Sequence, residues 1–256
     1  MVIQIGLVIP VWQTRFISQI LARTLQSCKR KDLVICVVND GVEEVARFLS
    51  TITLPPNVIT LNLPENRCFA AANNAGWHYL VEHFPSVRYL GSLNDDTIPR
   101  NGWLDSMLFT IEHNLHAAVT MPIMQTNHGI WGIRKNYATW LLKDAESPMV
   151  PNKHRIYEDT FVPVINGFCF LARRNALEEV NFFDERYRNS CEDVDLSLKL
   201  LSNGWRIIVC HNAYVFHYGG KSRHLNDIST DIVYSHRLLA EKWGVDLTSF
   251  NKCGKL

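Results

Sequence analysis

Apolar residues in the first hundred positions fall into short unbroken runs separated by stretches with helical spacing. Ile3 to Pro10 reads as a buried strand, followed by Ile17, Ile20, Leu21 and Leu25 on one face of a helix. Leu33 to Val38 is a second run, ended by the turn signal Asn39-Asp40-Gly41. Val58 to Leu63 predicts a third strand, Phe69 to Phe84 a helix, and Val87 to Leu93 a fourth strand that runs into Asn94-Asp95-Asp96. Strands apolar on both faces and alternating with helices imply an α/β fold with a mostly parallel central sheet covered on both sides. In such sheets ligands bind beyond the carboxyl ends of the strands. Pro10, Asp40, Asn66-Arg67 and Asp95-Asp96 follow the four strands in turn and are expected to converge at one sheet edge.

The second half is less regular. The stretch from about Asn127 to Pro163 is rich in Asn, Pro, Trp and His and reads as a long loop or a site-shaping excursion. Structure resumes at Val164 to Leu171. A helix starts near Glu192, with Val194, Leu198 and Leu201 on one face and Gly204 as its stop. Arg206 to Val209 and Ala213 to His217 predict two short strands, and Asp231 to Trp243 a terminal helix with Ile232, Leu239 and Trp243 on one side. There are no internal repeats or linkers, and 256 residues suit one domain.

Composition narrows the setting. Hydrophobic residues make up 47% and charged residues 20%, ordinary for a globular chain, and a net charge of +1 leaves no footprint for nucleic acid. The N-terminus lacks the features of a secretory signal, and no apolar run approaches the roughly 18 residues that would span a bilayer. Seven scattered cysteines without a Cys-x-x-Cys are the pattern of free thiols in a reducing compartment. The expected location is cytoplasmic, with peripheral attachment at the inner face of a membrane left open. Oligomeric state is not legible.

Three acidic groups carry candidate chemistry. Asp95 and Asp96 repel one another unless a cation lies near, and a divalent metal is one answer; capping the turn before Ile98-Pro99 is another. Asp40 is placed to accept a nucleobase N–H, or simply belongs to a turn; Arg67 is placed for a base or phosphate, or for a surface ion pair. Glu192-Asp193-Val194-Asp195 offers a general base, while Ser190 to Asp193 also fits a capping box. His211 and His217 bracket a strand before Tyr218-Gly219-Gly220-Lys221, as further metal ligands or as structural histidines. Gly-x-Gly-x-x-Gly, the P-loop, His-Glu-x-x-His and Gly-x-Ser-x-Gly are all absent, which disfavours dinucleotide redox, P-loop, zinc-protease and serine-hydrolase chemistry.

In order along the chain, IGLVIPVW, VVNDG, ENRCFAAANNAG, LNDDT, NGFCFLARR, FFDERYRNSCEDVDLSLKLLSNGW and AYVFHYGGKS, with EKWG near the end, resemble glycosyltransferase family 2. The likeness runs from about residue 3 to 222 and is similar to rhamnosyltransferase-like and polysaccharide glycosyltransferases. It implies a GT-A fold and inverting transfer from a nucleoside-diphosphate sugar to an acceptor hydroxyl, assisted by Mn²⁺ or Mg²⁺.

The resemblance implies roles by position. Pro10, Asp40 and Arg67 would line the nucleoside pocket with Asp95. Asp96 would be the direct metal ligand, with His217 near the metal or diphosphate. Asp193 would be the catalytic base and Glu192 its neighbour at the acceptor hydroxyls. Gly167 and Phe168 would border the acceptor cleft; from residue type alone, Trp103, Trp131, Trp140, Trp205 and Trp243 include candidates for stacking on an acceptor sugar, with core packing the alternative. The nucleotide half would end at about residue 101 and the acceptor half fill about 102–256. Asn94 and Asn39 stand where many relatives carry Asp. UDP or dTDP is the preferred donor class; the acceptor is a glycan or glycoconjugate. The alternatives are a nucleotide-sugar-binding protein without transfer activity, and a sugar nucleotidyltransferase, though the latter would want a Gly-rich basic loop after the first strand.

Overall fold

The four apolar runs become β1 (Ile5–Val11), β2 (Leu33–Asn39), β3 (Val58–Asn62) and β4 (Tyr89–Leu93) in the computed structural model, which describes residues 2–126, 129–131, 159–219 and 228–244. Their order is β3-β2-β1-β4, all parallel, so the chain reverses its direction of build between β1 and β4. That switch point opens a crevice at the carboxyl ends.

Beyond β4 the sheet is mixed. The order continues through β9 (Cys169–Arg173), β6 (Ala117–Thr126) and β10 (Arg206–His217) to β5 (Thr97–Pro99). β7 (Gly129–Trp131) pairs with β6, and β8 (Thr160–Val162) with β10. The mostly parallel arrangement therefore belongs to the first four strands. β9 runs antiparallel to β4, which brings the residues just before β9 to the same edge as the residues just after β4.

Successive strand residues face opposite sides, and each side has its own core. Ile5, Leu7, Ile9, Ile35 and Val37 pack under α1 (Ile17–Ser27) and α4 (Trp103–His113). Val8, Val34, Cys36 and Val38 pack under α3 (Cys68–His83) and α6 (Glu192–Ser202). Gly76 lets α3 close on the sheet: a Cβ there would lie 2.6 Å from Val8 Cγ2. The remaining helices are α2 (Glu43–Thr51), α5 (Arg174–Glu179) and α7 (Ile228–Trp243).

Seven elements were not legible in the sequence pattern: α2, α4, α5, β5, β6, β7 and β8. Pro122 in the middle of β6 argues against a strand, yet there β6 has β10 as its neighbour on one side only, between its pairings with β9 and β7. The two strands expected at 206–209 and 213–217 are one strand, because β6 pairs with both halves across a register shift between Cys210 and Tyr214. Of the stretch at 127–163, only β7 and residues 159–163 lie within the described residues.

Candidate active site

The loops at the carboxyl ends of β1 to β4, the segment before β9 and the first turn of α6 enclose a cleft of about 830 Å³. Pro10 and Trp12 bring the end of β1 to it, Asp40 the end of β2, Arg67 the loop before α3 and Asp95 the end of β4.

Asn39 shapes the second of these turns. Its Oδ1 accepts the Val42 N–H at 3.0 Å, and its Nδ2 donates to Val42 O and Asn62 Oδ1, both at 3.0 Å. A carboxylate at this position has no proton to donate. Gly41 next to it is left-handed (φ 74°), and a Cβ would lie 2.0 Å from the Glu65 carbonyl carbon, so only glycine lets the two loops meet. Asp40 then accepts the Arg67 N–H at 2.7 Å. Burial pushes the Asp40 carboxyl up from its ordinary value, opposed by the backbone N–H groups of Arg67 and Cys68. The Arg67 guanidinium, expected beside a base, is paired with Glu185 at 2.5 Å, and Glu185 also accepts from Asn74 at 3.0 Å.

The acidic turn is stitched to two strands. Asn94 N–H donates to Phe168 O at 2.8 Å, Thr97 Oγ1 to Asn94 O at 2.7 Å, and Tyr218 N–H to Asp96 O at 3.0 Å. β10 pairs with β5 in a register that sets His217 opposite Thr97, and His217 Nε2 lies 3.0 Å from Asp96 Oδ1. The Phe168 ring stacks on the His217 imidazole, centroids 5.1 Å apart. Asp95 lines the cleft, whereas Asp96, the ligand favoured from sequence, is only 1% exposed and lies behind that lining. Burial, and then the neighbouring Asp96, push the Asp95 carboxyl up to about 7.

Asp95 Oδ2 and both Asp96 carboxylate oxygens are buried without a hydrogen-bond partner; the His217 contact is close but not an aligned hydrogen bond. Three such oxygens in one turn fit a hard divalent cation, which takes oxygen ligands. No group of three or more His, Cys, Asp or Glu side chains is disposed to hold a metal among the described residues. A cation here would therefore need substrate or water oxygens to complete its shell.

The third acidic group divides. Asp193 lines the cleft; its Oδ2 accepts the Gly167 N–H at 3.2 Å and its Oδ1 the Val194 N–H at 2.9 Å. Ser197, one turn on, accepts the Ile165 N–H at 2.8 Å, so the loop entering β9 is held to α6 at two points. Glu192 is buried in the cleft wall. Asp195 faces away, 0% exposed, and receives Tyr187 Oη at 3.2 Å, Trp243 Nε1 at 2.8 Å and Lys242 Nζ at 2.8 Å. It fastens α7 to α6. The capping box does not form: Cys191, left-handed at φ 68°, is the N-cap residue with no side-chain cap, and Ser190 Oγ lies 3.5 Å from His236 Nε2.

Gly167, Phe168 and His217 are cleft residues, as expected. Trp103 is a correction. It is 1% exposed within the core under α4 and does not reach the cleft, because its side chain lies on the helix face turned to the sheet. His211 is tied to Asp159 at 2.9 Å and is no part of the site. Lys221 and Trp140 lie outside the described residues. Sequence reasoning missed Arg188, Asn189 and His236, which complete the wall. Only the run of polar residues between Tyr187 and the α6 acids hinted at the first two.

The sequence profile described as "Glycosyl transferase family 2" matches residues 7–180, more than half of the chain. The chain belongs to glycosyltransferase family 2. The match ends before α6, so it covers the loops after β1 to β4 and the Gly167 loop but not Asp193. Pre-mycofactocin glycosyltransferase of Mycobacterium tuberculosis is 26% identical over 180 residues, 69% of this chain and 36% of that protein. Rhamnosyltransferase WbbL of Escherichia coli is 27% identical over 161 residues, 59% of this chain and 60% of that protein. The chain thus spans from about a third to three-fifths of the length of these curated relatives. Among solved structures, GalNAc-T7 with UDP, GalNAc and Mn²⁺ superimposes with a TM-score of 0.72 at 14% identity, covering 94% of this chain and 48% of that one. A crystal structure of S. aureus TarS gives a TM-score of 0.64 at 15% identity, covering 98% of this chain and 68% of that one. The fold of this family member is the GT-A fold.

Proposed function

We propose that this family 2 chain is an inverting glycosyltransferase, moving a hexosyl or deoxyhexosyl group from a nucleoside diphosphate to a hydroxyl of a glycan or glycoconjugate. The observation that carries the reading is the convergence of Asp40, Asp95 and Asp193, from three separate elements, on one cleft. Residues up to about 101 form the donor half and the remainder the acceptor half. UDP or dTDP is the preferred donor class, since the buried Asp40 carboxylate suits the ring N–H of a pyrimidine. The UDP and Mn²⁺ bound in GalNAc-T7 support that class, and the likeness to a rhamnosyltransferase supports a deoxyhexosyl group.

Asp193 takes the proton of the acceptor hydroxyl as its oxygen attacks the anomeric carbon. The bond from that carbon to the diphosphate oxygen breaks on the opposite face, the nucleoside diphosphate leaves with the electron pair, and the anomeric centre inverts. The two backbone N–H groups on Asp193 fix the carboxylate's orientation, so little rearrangement is needed at the moment of transfer. Glu192 lies beside it to engage the other acceptor hydroxyls. Mn²⁺ or Mg²⁺ held by Asp95 and Asp96, with His217 beside Asp96, would offset charge building on the leaving diphosphate. Free thiols at all six described cysteines support a reducing, cytoplasmic setting. No helix of the described residues is long and apolar enough to cross a membrane.

Calorimetric titration with UDP, dTDP and GDP, with and without Mn²⁺, tests the donor site. Metal-dependent binding of one nucleotide is expected. Asp40→Asn is the informative variant, because the amide oxygen still accepts the Arg67 N–H while the charge at the base is gone. Failure of all three nucleotides to bind would overturn the donor-pocket reading.

A further inference from the structure

Seven carboxylates and two arginines line the cleft. Such a surplus of negative charge repels an anionic ligand unless a cation is set to receive it. Arg67 is already engaged by Glu185. Arg188 is different: it is exposed at the cleft, and among the described residues its guanidinium has neither an ion pair nor a hydrogen bond.

Its backbone is held closely. The hydroxyl of Ser235, itself 0% exposed on α7, accepts the Arg188 N–H and donates to the Arg188 carbonyl, both at 2.9 Å. Tyr187 before it is buried and bonded to Asp195; Asn189 after it is left-handed and donates to Asp231 at 3.1 Å. Only the Arg188 side chain is left over from this framework. Its charge acts on the Cys68 thiol, as do those of Asp40, Asp231 and Glu192, so the guanidinium stands among the acids of the cleft. A fixed backbone carrying an unengaged planar fork is suited to bidentate capture of a phosphate or carboxylate.

Resting on the glycosyltransferase reading, we infer that Arg188 is a specificity-determining residue that selects an acceptor carrying a negative charge, phosphate or carboxylate, next to its reactive hydroxyl. The segment before α6 runs directly into the Glu192-Asp193 turn, which the glycosyltransferase reading assigns to the acceptor. An acceptor of this kind gains in one contact what a neutral sugar cannot, and Arg188 offsets the repulsion from the surrounding acids.

The test uses the full chain, titrated by calorimetry or ligand-observed NMR in the presence of UDP. The probes are N-acetylglucosamine 1-phosphate, glucuronic acid and, as neutral control, methyl N-acetylglucosaminide. The expected result is a preference of about tenfold for at least one anionic probe over the neutral one. Whichever anion is preferred distinguishes the phosphate source from the carboxylate source. The preference should vanish in Arg188→Ala and be partly kept in Arg188→Lys, with UDP affinity within about twofold of the parent in both. Equal binding of anionic and neutral probes, or a preference that survives Arg188→Ala, overturns the inference. So does a tenfold loss of UDP affinity in Arg188→Ala, which would assign the guanidinium to the donor. If no nucleotide binds the parent protein, the donor reading fails by itself; the probe comparison run without nucleotide still decides Arg188.

Discussion

The Asp193 carboxylate receives the backbone N–H of Gly167 at 3.2 Å, which ties the first turn of α6 to the loop that enters β9. The contact joins two segments 26 residues apart and fixes one carboxylate in the cleft. If this is the base, Asp193→Asn lowers turnover by about 10²–10⁴-fold. The amide can still accept the Gly167 N–H, so nucleotide affinity should change by less than about twofold. Steady-state kinetics beside nucleotide titration checks both; full turnover in the variant would remove Asp193 from the mechanism.

His217 lines the cleft beside Asp96, and the Phe168 ring stacks on it. Groups that brace a metal-binding carboxylate tune its affinity, and His217→Ala is expected to weaken Mn²⁺ binding in the presence of UDP by about 10–100-fold. Calorimetric titration of Mn²⁺ into the UDP-saturated protein measures it. An unchanged affinity would show that the histidine serves the fold and not the metal.

The carboxyl of Asp95 has a raised pKa, about 7 in the metal-free protein, caused first by burial and then by Asp96 beside it; the His217 ring contacts Asp96. A folded pKa above the unfolded one means that the protonated form is favoured in the fold. The associated stability is present below about pH 4 and is lost as pH rises through about 7. With EDTA present, Asp95→Asn should therefore unfold a few degrees higher than the parent at pH 8 and lose that advantage near pH 4. Adding Mn²⁺ should raise the parent's Tm more at pH 8 than at pH 5, because the metal needs the ionised carboxylate. Thermal scans over this range, with parent and variant running in parallel throughout, would contradict it.

Asp195 is buried and collects Lys242, Trp243 and Tyr187 on one carboxylate. Its removal leaves the buried Tyr187 hydroxyl and the Trp243 ring N–H short of their acceptor, while Lys242 keeps Asp184. Asp195→Ala should cost about 2–4 kcal/mol of stability in urea unfolding. Asp193→Asn, two residues away but in the cleft, should stay within about 0.5 kcal/mol of the parent. Comparable losses in both would mean that the two acids are not divided as described.

Much of the first hundred residues was legible because their signals are local. β1 to β4 are apolar on both faces, and the residue after each strand is fixed at the sheet edge by topology alone. That logic brings Pro10, Asp40, Arg67 and Asp95 to one cleft before any coordinate is known. The mixed half resisted it. Pro122 hides β6, and no local pattern tells that β9 enters antiparallel beside β4 or that the two pieces of β10 are one strand.

Sequence by itself determined which residue types stand at the strand ends, and so the parallel half-sheet, the acidic turn and the capacity for a general base. Tertiary structure decided how neighbouring side chains divide their work. Asp193 and Asp195 differ by two positions on one helix, about 200° apart around its axis, so one meets the cleft and the other the buried face of α7. Trp103 is drawn into the core for the same kind of reason: its face of α4 is the one that covers the sheet. Arg67 finds Glu185 and His217 finds Asp96 across 118 and 121 residues of chain, and such pairings exist only once the sheet has fixed both ends in space.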